Sequence, residues 1–204
     1  MAERPPHGSA RPGGRTARTR AAVLAAALEE LGTHEFGALT MDRLAQRSGV
    51  HASTIRRRWR TVEGVVIDLL SQQGGTIPTP DTGDLRQDLH QLARAIADFH
   101  ATLRNRNLIE HIVAGAAQGP RIADIVRDAF TARTEHVTQI VTHAIARGEL
   151  PPEVDAKEVI AALGAPFYYR LLILRGTIDD RLVHVSAEAA YLAARTGVFS
   201  SPSR

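Results

Sequence analysis

The sequence has no cysteine in its 204 residues, which excludes disulfides, thiolate metal sites and thiol catalysis. Long apolar runs are missing as well. The stretch closest to a leader is Ala21 to Leu28 behind Arg15, Arg18 and Arg20. It is far shorter than the ~18 residues a membrane span needs, and Glu29 and Glu30 follow it directly. A cytoplasmic protein with no membrane association is therefore expected. No segment alternates polar and apolar residues with period two, so little or no strand is expected. The nine histidines are scattered. None forms the i, i+4 pair beside a glutamate that a helical zinc hydrolase uses, and His136 and His143 stand two turns apart, too far to share one ion. Neither a phosphate-cradling glycine loop nor a nucleophile elbow is present. These absences predict no metal, no cofactor and no enzyme activity, and no internal repeat is visible.

What is present is an ordinary globular composition, 44% hydrophobic and 23% charged, able to bury a core. The charge is unevenly spread. Residues 1 to 60 hold eleven Arg and five acids, whereas the remainder carries a balance of −3 within a total of +3. A basic first third on a mildly acidic body is the footprint of a protein that meets a polyanion with one end.

Residues 1–15 (MAERPPHGSARPGGR) are rich in Pro, Gly and Arg without apolar periodicity and read as a disordered basic arm. From Thr16, apolar residues recur every three or four positions up to Leu31, and Gly32 ends that helix. Thr40 is placed to cap a short helix over Met41 to Arg47, with Asp42 suited to its dipole. Ser48, Gly49 and Val50 form a tight turn into an arginine-rich helix, His51 to Trp59. Thr61 caps a fourth helix through Gln73. Gly74 to Gly83, with three Gly and two Pro, forms a linker. Beyond it the periodicity predicts helices over 84–104, 107–117, 120–147, 155–175 and 179–196, with residues 200–204 as a tail. The expected architecture is all-α: a helix-turn-helix domain over 16–73 and a larger helical domain over 84–199, about nine helices in all.

The informative block is T40-MDRLAQRSGV-HASTIRRRWRTVEGVV-66. Two short helices joined by a glycine turn, the second loaded with small polar and basic side chains, form a helix-turn-helix whose second helix enters the major groove. Gly49 suits a turn position with positive φ, and Ala45, Val50 and Ile55 point inward. Ala52 and Arg56, and likewise Ser53 and Arg57, stand four apart. One helical face thus offers small residues for close approach and arginines that reach. Arg57 is assigned to base reading, because arginine bidentate to guanine is the commonest specific contact. Trp59 is read as core, packing the third helix on the fourth.

The helix over 16–31 followed by LTMDRLAQRSGVHASTIRRRWRTVEGVV resembles the DNA-binding domain of the tetracycline-repressor (TetR) family over about residues 16–70. GAPFYYRLLILRG, from Gly164 to Gly176, resembles one subgroup of TetR-like C-terminal domains more loosely. The resemblance implies that Thr40 and Arg43 meet phosphates, that His51, Ala52, Ser53, Thr54 and Arg57 face the groove, and that Arg56, Arg58 and Thr61 lie near the DNA backbone. Two positions depart from the family pattern, Arg56 standing where tyrosine is usual and Val62 where lysine is usual.

The resemblance further implies a homodimer built from the last two helices. Ala161, Ala162, Gly164 and Ala165 allow close approach, and Leu171, Leu182, Val185, Ala189 and Leu192 give apolar bulk; the alternative is that these stripes serve the monomer's own core. Pro166 inside the first of them predicts a bend. A small-molecule pocket is implied, for which Phe99, His100, Leu103, His111, Phe130, Phe167 and Tyr168 are the candidate linings. The function so read is a ligand-responsive transcription regulator, a repressor, binding a near-palindromic double-stranded DNA operator as a dimer. The alternative is a helical ligand-binding or scaffolding protein whose basic N-terminus binds RNA or an acidic partner.

Overall fold

The computed structural model describes residues 14–200. Most of the basic arm and the last four residues lie outside that range. Ten α-helical segments follow one another: α1 (Gly14–Leu31), α2 (Met41–Ser48), α3 (Ala52–Trp59), α4 (Val62–Gly74), α5 (Leu85–Phe99), α6 (Leu103–Gln118), α7 (Pro120–Val137), α8 (Gln139–Ala146), α9 (Ala156–Tyr168) and α10 (Asp180–Arg195). The rod expected over 120–147 is interrupted at Thr138. That residue keeps right-handed helical angles, so α7 and α8 make one interrupted rod and the described residues form nine. Among the described residues the one extended pairing is an isolated bridge between Val154 and Ser200, so Ser200 is joined to the domain and not to the tail.

Local chemistry sets the boundaries. Side chains of Thr40, Thr61, Asp84, Thr102, Asp155 and Asp179 accept backbone N–H bonds at the starts of six helices, satisfying donors the first turn leaves unpaired. The Thr102 cap corrects two expected boundaries. It starts α6 at Leu103, so the helix expected to reach Arg104 stops at Phe99. At the other end of the molecule α1 begins at Gly14, which makes Gly14 and Arg15 helical and not part of the arm. Pro166 lies within α9, and three residues later the backbone widens into a π turn over Tyr169–Ile173. There Leu174 N–H bonds the carbonyl of Tyr169, one residue further back than in an α-helix. A helix that cannot use the proline nitrogen thus relaxes by lengthening its turn.

Two cores result, but their border does not follow the linker. The second joins α5, α8, α9 and α10, including Leu89, Val141, Leu163, Phe167 and Ala187. The first gathers Val23, Leu24, Leu44, Ile55, Val65 and Leu69 from α1 to α4, and also Leu108 and Ile112 of α6 and Ile125 of α7. Fully burying such a side chain is worth ~1.5–3 kcal/mol, so α6 and α7 are structural parts of the N-terminal half. Two polar bonds reinforce this: Asn107 Nδ2 donates to the carbonyl of Gly32 at 2.6 Å, and His111 Nδ1 to that of Leu31 at 2.7 Å. They satisfy carbonyls that the end of α1 would otherwise leave open.

Candidate nucleic-acid interface and internal cavity

The α2–α3 pair is a rigid unit. Gly49 ends α2 at φ 67°, the left-handed conformation a tight turn needs. Ile55 is fully buried, while Ala45 and Val50 pack on the first core from the side. With that face fixed inward, His51, Ser53, Arg56, Arg57, Arg58 and Arg60 are exposed, and Ala52 and Thr54 half-buried. Trp59 is half-buried against the first core, and its indole N–H donates to Asp68 Oδ2 of α4 at 2.9 Å. Arg20 of α1 donates to the same carboxylate at 2.6 to 3.1 Å. Burial pushes the Asp68 carboxyl up, but the bonds from Arg20 and Trp59 outweigh this and hold it below the ordinary carboxylate range. Asp68 fixes the recognition helix on both α1 and α4. Sequence reasoning missed it, because its partners lie 48 and 9 positions away. At the α3–α4 corner a Cβ on Gly64 would run into the carbonyl oxygen of Trp59.

The arginines separate into two groups. Arg43 and Arg47 both pair with Glu30, which is buried, Arg43 Nη2 at 2.8 Å from Oε2. Arg43, expected at a phosphate, is thus held against α1 as a structural cation, and its backbone N–H is the group that bonds Thr40 Oγ1. Arg56 leans on Asp42 of α2 at 3.2 Å, a contact open to solvent, and Arg58 lies over the Trp59 ring at 5.1 Å. Arg57 and Arg58 line one groove with His51 and Thr54 of the recognition helix and with Arg15, Thr16 and Thr19 from the first turns of α1. Those three α1 residues were absent from the sequence-based set. Thr61 spends its oxygen on the Gly64 N–H. Val62, where a lysine was noted as usual, packs against the first core, and neighbouring Glu63 pairs with Arg121 at 3.6 Å.

The profile described as "Bacterial regulatory proteins, tetR family" matches residues 23–69, and the one described as "Tetracyclin repressor-like, C-terminal domain" matches residues 79–190. The chain belongs to the TetR family. The HTH-type transcriptional regulator YdeS of Bacillus subtilis is 30% identical over 81% of this chain and 84% of its own. AqdR of Rhodococcus erythropolis, also an HTH-type regulator, is 29% identical over 88% and 87%. The crystal structure of the TetR family regulator SCO0332 aligns with a TM-score of 0.71 at 27% identity, covering 85% of this chain and 97% of that one. The protein is therefore an HTH-type transcriptional regulator with a DNA-binding N-terminal domain, and the TetR family is not one of enzymes. Among the described residues no helix is long and apolar enough to cross a membrane.

In the C-terminal half of this TetR fold lies a cavity of about 310 Å³, enclosed by α4, α5, α6, α7 and α9. Of the seven candidate linings, Phe99, His100, Phe130 and Tyr168 reach it. The other three do not. Leu103 is two-thirds exposed at the start of α6, Phe167 points the opposite way into the second core, and His111 is engaged with α1. Helical spacing identifies an apolar face but not which side of a two-sided helix meets a void. Burial pushes the Tyr168 hydroxyl up to about 12. Burial, with the nearby Arg106 charge, pushes His100 down to about 4.

The candidate dimer stripe is partly redistributed. Ala161, Ala165, Val185, Ala189 and Leu192 are exposed, but Leu171 is buried, Leu182 packs on the second core, and Ala162 and Gly164 are half-buried. Tyr169, Ile173 and Leu174 join the exposed apolar face, each more than half exposed. The π turn rotates them outward, which a 3.6-residue period could not foretell. On the α5–α10 surface, His90, His184 and Glu188 bring metal-capable atoms within 4.8 Å of one another, a grouping that histidine spacing alone did not reveal. Both Glu188 oxygens already accept from Arg86, at 2.7 and 2.8 Å, and one meets His90 Nε2 at 2.6 Å. Those bonds, Arg86 first, hold the Glu188 carboxyl near 2. The cluster is an ion-paired clasp between two helices.

Proposed function

We propose that the chain acts as a homodimeric, ligand-released repressor. The observation that carries this is the continuity of the cavity with the DNA-binding half. Leu70, Gln73 and Gly74 at the end of α4 line the cavity, and so do Leu108 and Ile109 of α6. The same two helices pack in the core beneath the recognition helix. A molecule filling the cavity differently in two arrangements of α4 and α6 shifts the population between them, and a coupling of ~1–3 kcal/mol suffices for a useful change in DNA affinity.

In this reading the exposed apolar face of α9, the π turn and α10 seats a second copy across a two-fold axis. The two α3 helices then enter successive major grooves ~34–36 Å apart on a near-palindromic site. Arg57 reads a base, with Ala52, Ser53 and Thr54 allowing close approach. Arg15, Thr16, Thr19, Thr40, Arg56 and Arg58 meet the backbone, and the arginine cluster takes over from the cation that Val62 lacks.

The test is selection of bound duplexes from a random pool, followed by anisotropy titration of the selected site with duplex, RNA and heparin competitors. Two half-sites about one helical turn apart, with Arg57→Ala losing ~1–3 kcal/mol of discrimination at one base pair, is the expected result. Equal competition by RNA or heparin, or unchanged preference in Arg57→Ala, would remove the assignment.

A further inference from the structure

Among the described residues Arg133 is the one formally charged side chain lining the 310 Å³ cavity, and no carboxylate does. Its Nη2 donates to the backbone carbonyls of Ile77 at 2.8 Å and Pro78 at 3.5 Å, so the partners it holds are neutral. Arg133 also borders the two surface grooves flanking the cavity, beside Pro78–Asp81 and beside Ile67–Ser71, which places it at the mouth. A half-buried cation with only dipoles for partners has lost hydration without gaining a counter-charge, and an anion arriving there recovers much of that loss.

Behind it the cavity is walled by rings in edge-to-face array. Phe99 meets His100 at 5.0 Å between centroids, His100 meets Tyr168 at 5.9 Å, and Tyr168 meets Phe130 at 5.4 Å. This geometry leaves ring faces and edges for one more flat ring. His100 is 3% exposed, and its Nδ1 is buried without a hydrogen-bond partner among the described residues. A buried imidazole nitrogen left open is rare, and it supplies a donor or an acceptor according to tautomer. The volume is at the low end of the ~300–1,000 Å³ range of ligand pockets.

We propose that this cavity binds a small, flat aromatic carboxylic acid as its anion, the carboxylate against Arg133, the ring among Phe99, Phe130 and Tyr168, and a polar substituent against His100 Nδ1. The proposal rests on the reading of the cavity as the effector site and adds the chemical class of the effector. It also gives the ligand a lever. The guanidinium that would hold the carboxylate is the one tying the Ile77–Pro78 segment, at the end of α4, to α7.

The test is calorimetric titration of the full chain, without DNA, with three probes of one shape: 1-naphthoate, 1-naphthamide and 1-naphthylmethylammonium. The acid should bind at least about ten-fold tighter than the amide, the effect of one charge-assisted hydrogen bond, and the ammonium weakest. Arg133→Gln should bring the acid to the level of the amide, and Arg133→Lys should keep most of the preference. Should Arg133→Gln not fold, Tyr168→Phe and His100→Asn in the same titration test the ring wall and the open nitrogen. Equal or tighter binding of the amide, or no binding of any probe at millimolar concentration, overturns the proposal. Because DNA is absent, this outcome is separable from the repressor reading. A protein that prefers the acid yet stays on DNA keeps this inference and loses ligand release, and release by a neutral compound alone does the reverse.

Discussion

His100 illustrates how one buried side chain makes stability depend on pH. The unfolded chain takes up its proton near 6.5, the folded protein near 4 because burial and the Arg106 charge oppose it. Between those values the unfolded state binds more protons. Stability is therefore full above about pH 6.5 and falls as pH drops toward 4, by about 3 kcal/mol in all. Urea denaturation at pH 7, 5.5 and 4.5 should show the decline, and His100→Leu should lose this part of the slope. Arg43 gives a second residue-level expectation. Since it pairs with buried Glu30, Arg43→Ala should lower the denaturation midpoint, by about 1–2 kcal/mol with allowance for its partial exposure. The salt slope of DNA binding should hardly move; a reduction by about one ion with unchanged stability would return Arg43 to the phosphates. Gly64→Ala should cost ~1–3 kcal/mol by thermal melt, because the added carbon meets the Trp59 carbonyl. Of these three residues the sequence singled out two. His100 was legible as a member of an apolar face but not as a titration anomaly. Arg43 was visible as a charge near the turn, but Glu30 is thirteen positions earlier, and no local pattern says that a carboxylate will be buried beneath it.

Elements were readable where the chemistry is local. Thr40, Gly49, Thr61 and Asp155 mark ends the structure reproduces, because a cap is decided within four residues. They were misread where two signals overlap. The apolar recurrence through Phe99 and Leu103 masked the stop at His100, and α7 runs into α8 without a breaker residue. The face of α9 and α10 was half legible: Val185, Ala189 and Leu192 follow the helical period, whereas Tyr169, Ile173 and Leu174 owe their exposure to the π turn after Pro166. That face carries its own test. Leu192→Asp together with Ile173→Asp should turn a sedimenting dimer into a monomer at micromolar concentration while circular dichroism stays helical. A wild-type monomer at that concentration would remove the two-helix arrangement on DNA.

For the whole molecule, electrostatics predicts the form of DNA binding. The first 60 residues carry a balance of +6 and the remainder one of −3, so in the proposed reading the basic end is the one that meets the duplex. Log affinity should fall with log salt by ~0.9 for each phosphate neutralised, and Arg15→Ala should reduce that slope by about one phosphate's share. The charge asymmetry was plain from counting, and the all-helical class from apolar spacings of three and four with no period-two alternation. The packing of α6 and the first half of α7 into the first core was not, because burial of Leu108 and Ile112 against α1 depends on a fold-back of some eighty residues.

That fold-back governs how the protein can be recombined. Chimaeras of modular regulators are commonly cut at the linker, and here Gly75 to Gly83 is the inviting seam. A graft made there would set a foreign α6 beneath the end of α1, with nothing certain to answer the carbonyls of Leu31 and Gly32 or fill the places of Leu108, Ile112 and Ile125. The exchangeable unit is therefore a composite, residues 14–74 taken together with the inward faces of α6 and α7, and a functional hybrid should need those contact positions transplanted along with the DNA reader.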